Sequence, residues 1–277
     1  MILKPDRKLW TPPRSRSMPR SWFKQRGFFT PMGFMKTPFK IDAADFDGFN
    51  DNMRLGAGLT GALDSKTGIL SFWVRFDANQ VGNFINGETT LGGGTVRFFA
   101  NWGGSSPIRV VARNTSATNI LDITSTASYS SGATWWHFLC SWDLAAAAAH
   151  LYTNDASDLT VTTLTNDTID YTVGDWWIGV FPPTFNRING CLAEFYFAPG
   201  QYLDFSVVAN RRRFISAIGK PVGLGTTGAS PTGTAPLIYH HLNDGEAVAN
   251  FAINRGTGGG PWTITGTLDA ASTSPSD

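Results

Sequence analysis

The sequence predicts an all-β body, a sandwich or barrel of many short strands, behind a proline-rich N-terminal arm. Three observations carry this. From Ile41 onward the chain is a succession of short runs with period-two alternation, separated by Gly, Asn, Asp and Ser, the pattern of strands joined by tight turns. Its 277 residues include 30 Gly and 15 Pro, which suit turns and interrupt helices. Aromatics reach 13% while charged residues are held to 16%, against about 25% in an average domain. That mix disfavours a coiled coil, a charge-rich helical bundle and a disordered chain. No apolar run approaches the roughly 18–20 residues of a membrane helix. The basic N-terminus also lacks the apolar stretch of about 7–15 residues that marks a secretory signal.

Residues 1–40 form the arm. Pro5, Pro12, Pro13, Pro19, Pro31 and Pro38 fall within it, and each removes a donor and restrains its predecessor, so neither helix nor ladder runs far. Residues 41–269 form the body, with strands predicted at 69–76, 95–100, 107–113, 119–124, 134–143, 149–153, 175–181 and 190–198. In 134–143, alternation places Trp136, Phe138, Cys140 and Trp142 on one face, with His137, Leu139, Ser141 and Asp143 on the other. One short helix is predicted over about 205–215, capped by Asp204 and ending in Arg211, Arg212 and Arg213. Ala145 to Ala149 favour helix by propensity, but between two strand runs they read as a tight crossing or a strand start. Residues 225–236 read as a flexible internal link, followed by strands at 237–242 and 262–267, and 270–277 as a C-terminal tail.

The formal net charge of +1 conceals an asymmetry. Residues 1–40 hold ten Lys or Arg and one acid, a balance of +9, leaving −8 on the remaining 237 residues. Seven aromatics are interleaved with those bases. A solvated linker has no use for such side chains, whereas a segment lying in a protein groove does: aromatics anchor and arginines pair with acids or carbonyls. The residues expected to bind a partner are Trp10, Arg14, Arg16, Arg20, Trp22, Phe23, Arg26, Phe28 and Phe29. Ten cations would also suit nucleic acid, but no reader motif is present and the acidic body would repel the polymer, so nucleic acid is not the expected partner.

The order of the strand motifs resembles the concanavalin A-like, laminin-G-like superfamily. ADFDGFNDNMRL (44–55) is similar to its first strands, and GILSFWVRFD (68–77) to the strand that follows. WWHFLCSWD (135–143) with HLYTND (150–155) resembles its central hairpin, and NGCLAEFYFAPGQYLD (189–204) its Asp-Glu strand with the short helix after it. The four landmarks cover roughly 170 residues and imply an all-β jelly-roll of two antiparallel sheets. The Asp of the family's Asp-Glu pair is Ala193 here, and its Asp-Gly turn is Asn154-Asp155. A family-type calcium site is therefore in doubt and no cofactor is assigned, calcium remaining open. The C-terminal stretch 250–277 resembles the endings of laminin-G-like proteins from the structural gene clusters of tailed bacteriophages.

A retaining glycosidase needs two carboxyls about 5–5.5 Å apart, which the β-glucanase branch carries as E-x-D-x-E. No such triplet exists, Glu194 is alone on its strand, and Asp42, Asp45 and Asp47 sit where turn and cap roles are ordinary. His240 and His241 are strand neighbours and face opposite ways, which discourages a shared metal. His137 reads as a hydrogen-bonded structural residue, and no nucleophile elbow is present. Cys140 and Cys191 belong to one core in the family; two buried thiols are expected, with a bridge as the alternative. GGG at 92–94 and GTGGG at 256–260 lack the ending of a phosphate loop and read as loops. Sugar sites need a flat aromatic and polar groups that read hydroxyls. Asn101 with Trp102, and Asp175 with Trp176, are the candidate glycan-binding residues, while Trp73, Trp136 and Trp142 are expected between the sheets.

Together these readings predict a non-enzymatic bacteriophage virion structural protein, a capsid decoration or cement protein anchored by its arm. Its partners would be the major capsid protein or other virion proteins, with copies of itself in a homo-oligomer such as a trimer, and a surface glycan on the body. No membrane partner is expected. Such a protein would be assembled in the host cytoplasm and reside in the virion. The alternative is a lectin-like carbohydrate-binding adhesin of a tail or fibre.

Overall fold

The computed structural model describes residues 39–277 apart from Gly92 and Pro183, so the nine arm residues named above lie outside the described residues. The described chain is two eight-stranded antiparallel sheets packed face to face. One sheet runs β11 (Ala156–Ser157), β10 (Ala148–Thr153), β9 (Trp136–Asp143), β4 (Thr67–Phe76), β14 (Asn189–Pro199), β2 (Ala44–Asp47) and β18 (Asp269–Ala270), with β15 (Ile238–His240) also paired to β14. The other runs β12 (Thr160–Leu164), β8 (Asn119–Thr124), β7 (Ile108–Arg113), β6 (Val96–Trp102), β5 (Gly82–Glu88), β13 (Asp175–Ile178), β3 (Asn52–Arg54) and β17 (Thr263–Thr265). A short ladder joins β1 (Ile41–Asp42) to β16 (Leu242–Asn243). Among the described residues no helix is long and apolar enough to cross a membrane.

Period-two alternation sorts the side chains of the first sheet into two clusters. On β4, Leu70, Phe72, Val74 and Phe76 enter the core between the sheets. Ile69 and Trp73 point the other way, under a second layer built from the chain after β14. Being covered on both sides, β4, β9 and β14 read as nearly continuous apolar runs. The inner core is largely aromatic. Phe72 lies 4.6 Å from Phe84 and 5.6 Å from both Phe138 and Phe195, centroid to centroid. Trp142 packs here as expected and Trp136 borders it, but Trp73 belongs to the outer layer with Ile41, Cys191 and Ile215.

Several boundaries differ from expectation for physical reasons. Strand β5 is not among the predicted strands, and its sequence carries glycine at both Gly82 and Gly87. Gly87 is required there, since a Cβ would stand 2.8 Å from the Trp176 ring. The helix is one turn, α1 (Val208–Arg211), and its N-cap is Val207 without a side-chain cap. Asp204 instead accepts from the Ser206 amide and hydroxyl at 2.8 and 2.6 Å. Residues 225–236 are not a loose link: consecutive turns bury Gly228, Pro231 and Pro236. Nor is 270–277 a tail beyond the body, for Arg75 donates to Thr273 at 2.7 Å and the Ile41 amide to the Ser276 hydroxyl at 3.0 Å. Ala145–Ala147 form the turn into β10, as predicted.

Replacing Phe72 with Ala should cost about 3–5 kcal/mol, read as a lowered midpoint in urea unfolding with an unchanged slope. A loss below about 1 kcal/mol would mean that the aromatic layer is not close-packed around this ring.

Candidate functional site

The residues proposed for sugar binding are not at an accessible site. Trp102 closes β6 facing inward, 1% exposed, stacked 3.8 Å from Phe76 and donating its indole N–H to the Tyr129 carbonyl at 3.1 Å. Asn101 is half-buried on the opposite face of the same strand. Alternation on β13 sends Trp176 into the core against Phe197, 5.5 Å away. Asp175 is fully buried and takes Arg54 at 2.9 and 2.7 Å. Trp177 faces outward but is covered by that same guanidinium, 4.3 Å above its ring. An NWGG or DWW string looks like a binding loop only while strand direction is unknown.

The arrangement that does open to solvent begins at an irregularity in β14. Its inward residues are Leu192, then Phe195 and Phe197, a spacing of three followed by two. Strict alternation cannot bury all three, so the ladder inserts a bulge: Ala193 pairs with Trp73 of β4 and Tyr196 with Ser71. The bulged residue, Glu194, takes φ +50 and is 2% exposed. Its carboxylate accepts the Tyr239 hydroxyl at 2.9 Å and is bound directly by His241 Nδ1. Tyr239 of β15 and His241, the residue that follows that strand, supply both partners from the outer side, two positions apart. His240 turns inward against Phe251 and Trp262 and is held to a pKa of about 3 by burial.

A polar chain extends from this pair. His241 Nε2 lies 3.0 Å from Asn243 Oδ1, and Asn243 Nδ2 donates to Glu246 Oε2 at 2.8 Å. The amide therefore presents oxygen to the ring, and Glu194 likewise demands a donor at Nδ1, so the ring is an imidazolium. Burial alone would push its pKa down, but the hydrogen bond and charge of Glu194 outweigh this and raise it above the usual value. Arg255 donates Nε to the His241 carbonyl at 3.2 Å and Nη2 to Glu246 at 2.5 Å. Glu246, despite its own desolvation, is held at a pKa of about 2 by Asn243, Asn250 and the Arg255 charge.

In front of this network lies a cleft of about 340 Å³, walled by Phe39, Leu224, Tyr239, His241, Asn243 and Arg255, with Thr226 and Ser230 also on its lining. The Phe39 ring is 41% exposed and lies nearly parallel to His241, 6.4 Å away at 8°. Apolar ring faces lie here beside amide, guanidinium and hydroxyl groups. Composition gave no sign of it. The traces available in the sequence were the odd spacing of Leu192, Phe195 and Phe197 and the Tyr239-His240-His241 run.

Three other expectations are resolved. Cys140 and Cys191 are both free and lie on opposite faces of the first sheet. Ligand atoms of Asp45, Asp77 and Cys191 lie within 4.8 Å of one another, but Arg75 already brings a cation among them, 2.8 and 3.0 Å from Asp77 and 3.1 Å from the thiol. At the positions the resemblance points to, Ala193 is sealed in the outer layer, Asn154 spends its Oδ1 on the His137 amide at 2.8 Å, and Asp155, standing where the family has glycine, pairs with Arg211 and Arg212 at 2.6 Å each. These residues do not fit a family-type calcium site. His137 is structural: it is buried, with Nε2 2.9 Å from the Ser71 hydroxyl.

Glu194→Ala should destabilise by about 3–5 kcal/mol, the cost of leaving a buried partner charge alone. Glu194→Gly should cost roughly 1 kcal/mol less, because glycine adopts a positive φ freely. Equal losses in urea unfolding would show that the bulge carries no backbone strain.

No protein-family model and no curated protein sequence matches the chain. Among solved structures, the chain is similar to a candidate carbohydrate-binding protein from Bacteroides ovatus, with TM-score 0.57 and 13% identity over 85% of this chain and 61% of that one. The chain thus spans about three fifths of that protein's length. A heptameric SAP-like pentraxin from Limulus polyphemus aligns at TM-score 0.45 and 13% identity, over 60% of this chain and 78% of that one. Domains LG4-5 of the mouse laminin α1 chain align at 0.38 and 14%, over 60% and 43%. Such identities speak to the fold alone, and with the sheet order they establish it: the chain is an all-β, two-sheet antiparallel jelly-roll.

Proposed function

We propose that this chain is a non-catalytic, carbohydrate-binding jelly-roll whose glycan sits in the cleft in front of His241. The observation that carries the reading is the cleft wall itself: an exposed Phe39 ring beside Tyr239, with Asn243, Arg255, Thr226 and Ser230 around it. A sugar offers an apolar ring face to the first and hydroxyls to the others. The carbohydrate-binding description of the Bacteroides ovatus protein supports the same class of ligand. The reading is of a binder because the nearby carboxylates are engaged. Glu194 accepts from His241 and Tyr239, and Glu246 from Asn243, Asn250 and Arg255. A hydrolase would need one such group free as acid and another as nucleophile or base.

A second reading concerns where the body is carried, and the composition of residues 1–40 favours it. With a balance of +9 and seven aromatics, the arm suits anchoring to a large acidic protein surface. On this reading the protein decorates a bacteriophage capsid, or serves as a tail or fibre adhesin, through contacts with the major capsid protein or other virion proteins. Copies assemble together, as a trimer on a threefold site, with the body presented outward.

On a glycan array the full chain should bind a defined set of oligosaccharides, and Phe39→Ala should weaken that binding by about tenfold, the loss of one stacking contact plus buried area. Retained binding would move the sugar elsewhere on the jelly-roll. In co-sedimentation with empty capsids of the same virus, the full chain should pellet. Replacing Arg14, Arg16, Arg20 and Arg26 together with Glu should leave it in solution. Pelleting unaffected by that change would remove the arm from the attachment.

A further inference from the structure

We infer that the cleft takes an acidic saccharide, a sugar bearing a carboxylate such as a uronate, with the carboxylate on Arg255 and an apolar ring face on Phe39. This rests on the carbohydrate-binding reading above and adds the charge of the ligand.

The argument is the way charge is divided across the wall. The two cations of the network, His241 and Arg255, line the cleft, whereas the carboxylates that balance them, Glu194 and Glu246, do not. Both N–H groups of His241 are already spent, on Glu194 and on Asn243, so this ring offers its face and its charge rather than a donor. Arg255 differs. Its Nε and Nη2 hold the His241 carbonyl and Glu246, while no partner among the described residues is bound to Nη1. The side chain is 23% exposed. A guanidinium anchored along one edge keeps the other edge in a fixed orientation, and that edge matches a planar carboxylate with two parallel N–H donors. Glu246 and the backbone carbonyl thus aim Arg255, and a ligand need not pay the full entropy of ordering a long side chain.

The hydroxyl-bearing residues complete the assignment. Ser230 and Thr226 lie on the lining, suited to ring hydroxyls. The rest of the body is acidic, with −8 on residues 41–277. Long-range attraction therefore does not bring a polyanion here, and selectivity has to arise from the local contact.

The test is isothermal titration of the full chain with trisaccharides of galacturonate, mannuronate and a glucuronate-bearing xylan, each beside its carboxyl-reduced counterpart, which keeps the ring and loses the charge. The inference expects at least one uronate to bind about tenfold more tightly than its reduced form, as one charge-assisted pair would give. Arg255→Lys, which retains a cation beside Glu246 but loses the fork, should erase most of that difference, the uronate losing more affinity than its reduced form. If acid and reduced forms bind alike, or only reduced forms bind, the acidic-ligand inference is wrong and the carbohydrate reading stands. If no uronate binds while neutral or sulfated oligosaccharides on an array do, the inference again fails alone. If no saccharide of any kind binds, both fall. Should Arg255→Lys unfold, the comparison of acid with reduced form on the unaltered chain still decides.

Discussion

The structure turns on a one-residue change of phase in β14. That strand is shared by everything around it: β4 and β2 flank it, β15 joins it, and both its faces are buried. Its apolar residues are spaced so that a regular strand would bury Glu194 in the aromatic core and turn Phe195 and Phe197 outward. The bulge at Glu194 restores the apolar set to the core, at the expense of a left-handed backbone in a residue with a Cβ. Once displaced to the outer face, a carboxylate in a dry environment needs partners of its own, and Tyr239 of the neighbouring strand and His241 just after it provide them.

The cleft follows from that requirement. An imidazolium satisfied on both nitrogens fixes Asn243, which fixes Glu246, which with the chain's own carbonyl orients Arg255. Every link is a hydrogen bond whose donor and acceptor are dictated by the link before it. The result is a rigid polar wall with its negative charge behind and its positive charge in front, and an aromatic ring laid across it. A site supported in this way is organised before its ligand arrives.

Much of the fold was legible in the sequence. The alternation of 69–76, 119–124 and 190–198 appears as strands within one or two residues of the expected limits. The family resemblance supplied the two-sheet jelly-roll that alternation left as a sandwich or barrel. What alternation could not supply was which face of a strand meets the core. Trp102 and Trp176 were attractive as sugar platforms only because their neighbours are Asn, Gly and Asp. Strand β5 is absent from the predicted strands, and the glycine that admits the Trp176 ring there, Gly87, has no apolar side chain to add to an alternating pattern. The cleft itself joins residues separated by up to some two hundred positions, and no local pattern connects Phe39 to Tyr239 or Arg255.

The protonation state of His241 tests this account most directly. Nitrogen-15 spectra of the imidazole, followed from pH 5 to pH 9, would show whether both ring nitrogens carry protons. The account predicts an imidazolium at pH 7 that titrates above the ordinary 6.5. The stability it confers is then present in full below that ordinary value and is lost as pH rises through the folded-state value. A neutral ring at pH 7, with one nitrogen unprotonated, would contradict the chain of bonds from Glu194 to Arg255 and with it the organised cleft.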